Sequence, residues 1–86
     1  METRVALISI LVADREETAK ASVAAVNDLL HEYGSFIIGR MGIPYRAKNV
    51  NIISVALDAP QNVISALSGK LGRLKGVSVK TTYTNC

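Results

Sequence analysis

The chain is 86 residues long, 49% of them hydrophobic, with a formal charge of +3 from ten basic and seven acidic side chains. That length holds one small domain, and the apolar content excludes a disordered tail or linker. A domain this small buries roughly 60–65% of the surface its unfolded chain exposes, so a chain this apolar is expected to keep hydrophobic surface for a partner.

Residues 4–12, rich in β-branched and aliphatic side chains, read as a central strand covered on both faces. The apolar run from Val5 to Ala13 is too short to span a membrane. Asp14, Arg15, Glu16 and Glu17 follow it where a signal peptide would carry a small-residue cleavage site. A cytoplasmic protein is therefore expected. Asp14 supplies an N-cap and Glu17 completes a capping box for a helix starting near Arg15. Ala19, Val23, Val26, Leu30 and Tyr33 make one face of that helix, and Gly34 is expected to end it as a C-terminal cap.

Two strands are expected next, over 36–46 and 49–58, joined by a tight turn at Ala47, Lys48 and Asn49. The first is spoiled as a strand: Gly39, Gly42 and Pro44 weaken it and Arg40 puts a charge in its middle. In the second, Ile53, Val55 and Leu57 share the core face. Ile52, Ser54 and Ala56 share the other, which is uncharged and suits cover by another subunit. A second helix follows Asp58 with Pro60 in its first turn, its stripe being Ile64, Leu67, Leu71 and Leu74, interrupted by Gly69 and Gly72. Gly76 opens a last strand, Val77 to Tyr83, with Val77 and Val79 inward and Ser78, Lys80 and Thr82 outward.

The order βαββαβ is met most simply by two split βαβ units. The expected fold is α+β and ferredoxin-like: an antiparallel four-stranded sheet of order 4-1-3-2, both helices on one face, in a single domain over 1–86. The spoiled strand is then an edge, where proline is tolerated and glycine and charge discourage indiscriminate pairing.

Ferredoxin-like domains serve unrelated functions, so function must come from sites. An RNA-recognition sheet needs aromatics on its central strands, and Val5–Ile10 and Asn51–Val55 have none. A metal chaperone needs CxxC after the first strand, where Asp14-Arg15-Glu16-Glu17 stands. His31, the one histidine, favours the dipole of the first helix from its last turn, and no Asp, Glu or Cys lies at metal-ligand spacing on its face apart from Glu32 and the distant Asp28. Cys86 is the one cysteine, so no disulfide forms within the chain. No nucleophile, base and oxyanion constellation can be assembled, and the expectation is a protein that is not an enzyme, its cofactor unspecified.

Two candidates remain. Gly39, Arg40 and Gly42 with nearby Arg46 could bind a carboxylate or phosphate in fork geometry, or contact a second subunit. Ser65, Ser68, Gly69 and Gly72 make a small-residue face on the second helix. Charge is also uneven: residues 1–35 hold three basic and six acidic side chains, residues 36–86 seven basic and one acidic (−3 and +6). That leaves two readings of the basic half, a solvated surface or a site for an acidic partner, including nucleic acid.

The segments LLHEYGSFIIGRMGIPYRAKNVNIISVALDAP and ISALSGKLGRLKGVSVKT resemble the iron-only hydrogenase system regulator family, most specifically in Ile38–Pro44 and Ala66–Gly72. The resemblance implies an ACT-like fold, similar to the sensing domain of nickel-responsive repressors, and homo-oligomers, dimers or tetramers, joined through their sheets. It implies a regulator that senses a small molecule or docks on a protein of the hydrogenase system. It carries over neither the glycine loop of amino-acid-binding ACT domains, since Ala13-Asp14-Arg15 stands there, nor the histidine and cysteine set of nickel repressors. A DNA-binding transcriptional regulator is the alternative, although no helix-turn-helix or ribbon-helix-helix segment is present.

Overall fold

A computed structural model describes residues 2–13 and 18–84, with the backbone alone for 18–20. The elements are β1 (Arg4–Ala13), α1 (Thr18–Glu32), β2 (Ile37–Tyr45), β3 (Val50–Ala59), α2 (Gln61–Gly72) and β4 (Val77–Tyr83). The four strands form one sheet in the order β2-β3-β1-β4, and every neighbouring pair is antiparallel. β1 and β2 are thus parallel with β3 between them, and β3 and β4 are parallel with β1 between them. These are the two interleaved split βαβ units of the ferredoxin-like α+β arrangement expected from the element order.

Alternation along β1 and β3 builds the core. Ala6, Ile8, Ile10 and Val12 point to the helices with Ile53, Val55, Leu57 and Ala59, and all are buried. α1 packs Val26 and Leu30 against this face, and α2 packs Ile64, Leu67 and Leu71. Ser22 is the buried polar side chain among them, and its hydroxyl donates to the carbonyl of Lys75 at 2.8 Å. That bond ties the first half of α1 to the turn before β4. In the same turn Gly76 takes φ +73°, where a side chain would strain the backbone, and its carbonyl accepts from the Ala13 amide at 3.0 Å.

Four local expectations are corrected. β1 is covered by helices on one face only; Val5, Leu7 and Leu11 on the other are 40–47% exposed. Its apolar run, broken only by Ser9, meets the demand of a two-faced strand, but both crossover helices lie on the same side of the sheet. Gly34 is not a left-handed cap: it opens a single 3-10 turn over Gly34–Phe36, where the Phe36 amide donates to the Tyr33 carbonyl. Pro60 is the N-cap residue of α2 and does not lie within its first turn. Leu74 lies beyond the end of α2, half-buried in the turn, with its amide bonded to the Leu71 carbonyl. The turn before β3 is a short 3-10 segment, Arg46–Lys48, ended by Asn49 in the left-handed region at φ 53°. The capping box at Asp14 and Glu17 and the terminal Cys86 lie outside the described residues.

Candidate functional site

The edge strand β2 is where the candidate residues sit, and a bulge decides which way they point. Ile37 pairs with Leu57 and Gly39 with Ala56, so Ile38 is an extra residue on β2, 64% exposed. A one-residue insertion exchanges the two faces of everything beyond it. In this phase Arg40, Gly42 and Pro44 lie opposite Val55, Ile53 and Asn51 on the helix side. Gly39, Met41, Ile43 and Tyr45 lie on the other side, opposite Ala56, Ser54, Ile52 and Val50. The unbulged phase would turn the large apolar side chains of β2 inward and Arg40 outward.

The side of the sheet away from the helices is consequently a broad, mostly apolar surface in transverse rows. One row runs Gly39, Ala56, Leu7, Thr82; the next Met41, Ser54, Ser9, Lys80; a third Ile43, Ile52, Leu11, Ser78. Met41, Ile43 and Tyr45 are all about half exposed. The first row is shallow at its β2 end, because Gly39 has no side chain and Ala56 a small one, and Ser54 in the next row is small as well. A hollow of about 240 Å³ opens there, lined also by Leu7, Arg40 and Met41.

A second hollow, of about 230 Å³, lies on the helix side between α1 and β2. Its lining includes Val23 and Asn27, one turn apart on α1, with Arg40 and Gly42 from β2 and Asn51 and Ile53 from β3. The Arg40 guanidinium reaches across its mouth, Nη2 donating to Asn27 Oδ1 at 2.7 Å. Asn27 is neutral, so Arg40 is oriented while its charge stays uncompensated by an ion pair among the described residues.

The structure brings Arg40 and Gly42 together on this groove, and Gly39 and Arg40 together on the opposite hollow. Arg46 opens the 3-10 turn beyond β2 and lines neither. Asn27 and Asn51 were not legible as site residues, because only the crossing of α1 over β2 and the register of β3 bring them to Arg40. The one available signal was the four-residue spacing of Val23 and Asn27 on one helix face.

The remaining candidates are dispersed. His31 is exposed in the last turn of α1, and among the described residues there is no group of three or more His, Cys, Asp or Glu placed to hold a metal ion. Gly69 and Gly72 of α2 are exposed, and a Cβ built on either meets open space, so packing within the chain does not account for them. Ser68 of that helix bonds Thr81 of β4, oxygen to oxygen at 3.0 Å. Lys70 donates to the Tyr33 hydroxyl at 2.9 Å. That bond, with the nearby Glu32 carboxylate, raises the Lys70 pKa above its usual value. Gln61 joins Arg4, Tyr83 and Ser65, and the Arg4 guanidinium lies 4.3 Å from the Tyr83 ring centroid.

Two split βαβ units with a helix-free sheet face define a ferredoxin-like α+β protein, and that architecture is shared with proteins of quite different sequence. A formyltetrahydrofolate deformylase from Pseudomonas putida KT2440 superposes with TM-score 0.64 at 15% identity, over 95% of this chain and 29% of its own. The de novo designed protein Foldit4 does so with TM-score 0.59 at 17% identity, over 98% and 100%. These two show the fold alone. Protein TM1266 from Thermotoga maritima is far nearer, with TM-score 0.88 and 40% identity over 98% of this chain and 100% of its own. The chain belongs to the TM1266-like family, described as "Iron-only hydrogenase system regulator, putative", which it matches over residues 4–81. No curated protein matches it. Among the described residues no helix is long and apolar enough to cross a membrane.

Proposed function

We propose that this chain is a single ACT-like domain over residues 1–86 that works in the cytoplasm, without catalysis, as a homo-oligomer in the regulation of an iron-only hydrogenase system. It senses a small molecule or docks on a protein of that system. Gly39, Arg40, Gly42 and Arg46 form its ligand or subunit contact.

The observation that supports this is the helix-free face of the sheet. Leu7, Leu11, Met41, Ile43 and Tyr45 present contiguous apolar surface that no element of the described chain covers. Four strands about 4.8 Å apart and seven to ten residues long, at about 3.3 Å per residue, make a face of roughly 600 Å². The area buried per partner in a stable interface is about 800 Å², so side-chain relief brings the face to the right size. A two-fold axis in the plane of contact and across the strands, through the row of Met41, would lay Ile43 and Ile52 over Gly39 and Ala56 of the second copy and Leu11 over its Leu7, an isologous contact of the kind that closes a dimer.

Native mass spectrometry and sedimentation velocity test it. The wild-type chain is expected as an even-numbered oligomer and the doubly substituted Leu7→Asp, Leu11→Asp chain as a folded monomer; a wild-type monomer at micromolar concentration overturns the reading. The rival, a nucleic-acid-binding regulator using the basic second half, requires DNA affinity that falls steeply between two salt concentrations.

A further inference from the structure

The geometry points to the α1–β2 groove as a binding site for a short aliphatic monocarboxylate, with Arg40 as the carboxylate anchor and Asn27 and Asn51 as its neutral polar rim. This deepens the ligand-contact reading above and rests on it, but assigns the ligand to the helix side of β2. There it remains accessible when a second copy covers the opposite face of the sheet.

Three features set the chemistry. The first is charge: one guanidinium, no lysine, aspartate or glutamate in the lining, and two uncharged amides. A single oriented arginine matches a monoanion with the planar fork geometry of a carboxylate. A phosphate dianion would leave charge uncompensated. An amino acid would bring an ammonium group with no carboxylate in the lining to meet it. The second is the wall. Val23 is half-buried and Ile53 buried, and Gly42 opposite Ile53 has no side chain, so an alkyl group would lie against aliphatic surface and bare strand backbone. The third is size. A hollow of about 230 Å³ is smaller than the roughly 300–1,000 Å³ of pockets for drug-sized ligands and suits a small molecule, for which 4-methylpentanoate serves as the probe.

The bulge at Ile38 is what assembles this site. Without it Arg40 would point to the opposite face, and Gly39 rather than Gly42 would share a face with Ile53. The bulge thus gives the edge strand a positive role besides resisting stray strand pairing.

The test is titration of the full chain with 4-methylpentanoate, leucine and inorganic phosphate, by calorimetry and by the ¹⁵N-resolved amide signals of Asn27, Gly42 and Asn51. Saturable binding of 4-methylpentanoate is expected, weakened tenfold or more by Arg40→Ala and less by Arg40→Lys. Gly42→Val should abolish it by filling the groove. Its Cβ meets no atom within 4 Å, so the fold should accept the change, and dispersed amide spectra verify this. Absence of binding overturns the assignment, as does binding indifferent to both substitutions or preference for leucine or phosphate. Oligomeric state measured on the same samples separates the two readings. A monomer that binds the carboxylate refutes self-association alone; an oligomer that binds none of the three refutes this site alone.

Discussion

Large aliphatic residues lie on both faces of the sheet, joined on the helix-free one by Ser9, Ser54, Ser78, Lys80 and Thr82, and they meet opposite fates. On β1 alone, Ile8, Ile10 and Val12 are fully buried under the helices, while Leu7 and Leu11, their immediate neighbours, stay nearly half exposed. The difference teaches that aliphatic content is no guide to which face is the core. A strand that must pair on both edges and pack on both faces reads as continuous apolar sequence, whether the second layer is its own helix or another chain. On the helix side the packing partner is covalently attached. On the other side no element of the described chain packs.

The comparison breaks most sharply by truncating neighbours. Ile10→Ala should cost about 2–5 kcal/mol in urea denaturation, because it opens a cavity between sheet and helices. Leu11→Ala should cost about 0.5 kcal/mol or less within one chain. Any larger effect should grow with protein concentration, since the loss is then of association; a large concentration-independent loss would mean that the helix-free face is covered within the chain.

A smaller effect is expected on the outer surface of α2. Gly69 is exposed inside the helix with open space where a Cβ would stand, so Gly69→Ala should stabilise the chain by about 0.5–1 kcal/mol. A loss of stability that appears only at concentrations where the protein is assembled would mark that surface as a second contact, and would give Gly69 a reason to be glycine.

The smallest effect concerns Lys70, fully exposed at the end of the same helix. The Tyr33 hydroxyl, then Glu32, raise its pKa above 10.5. A cation favoured by folding stabilises fully below the unfolded value and loses that contribution as pH rises through the folded one. The Tm gap between wild type and Lys70→Met should therefore be present below pH 10.5 and close above it; a gap that widens with rising pH would reverse the assignment.

Much of the architecture was legible beforehand because it depends on local chemistry. The period of two in β3 identified Ile53, Val55 and Leu57 as the core face, and the three-and-four spacing in α2 identified Ile64, Leu67 and Leu71. Leu74 misled because an apolar residue in a turn can pack on the same core as the helix before it. Gly34 misled because a glycine after a helix fits both a left-handed cap and a 3-10 turn, and the pairing of the next residues decides between them. Arg40 and Gly42 were singled out as residues that spoil a strand, but their shared face was not apparent.

What the sequence determined by itself is the order of elements, and with it the split βαβ topology, since right-handed crossovers leave few other ways to connect these strands. Local periodicity and turn chemistry suffice for that. The bulge, the face that stays bare and the meeting of Arg40 with Asn27 were decided by tertiary structure alone. Register is a property of two strands: shifting β2 by one residue exchanges its faces at no change in composition, and only packing against β3 and α1 selects the phase.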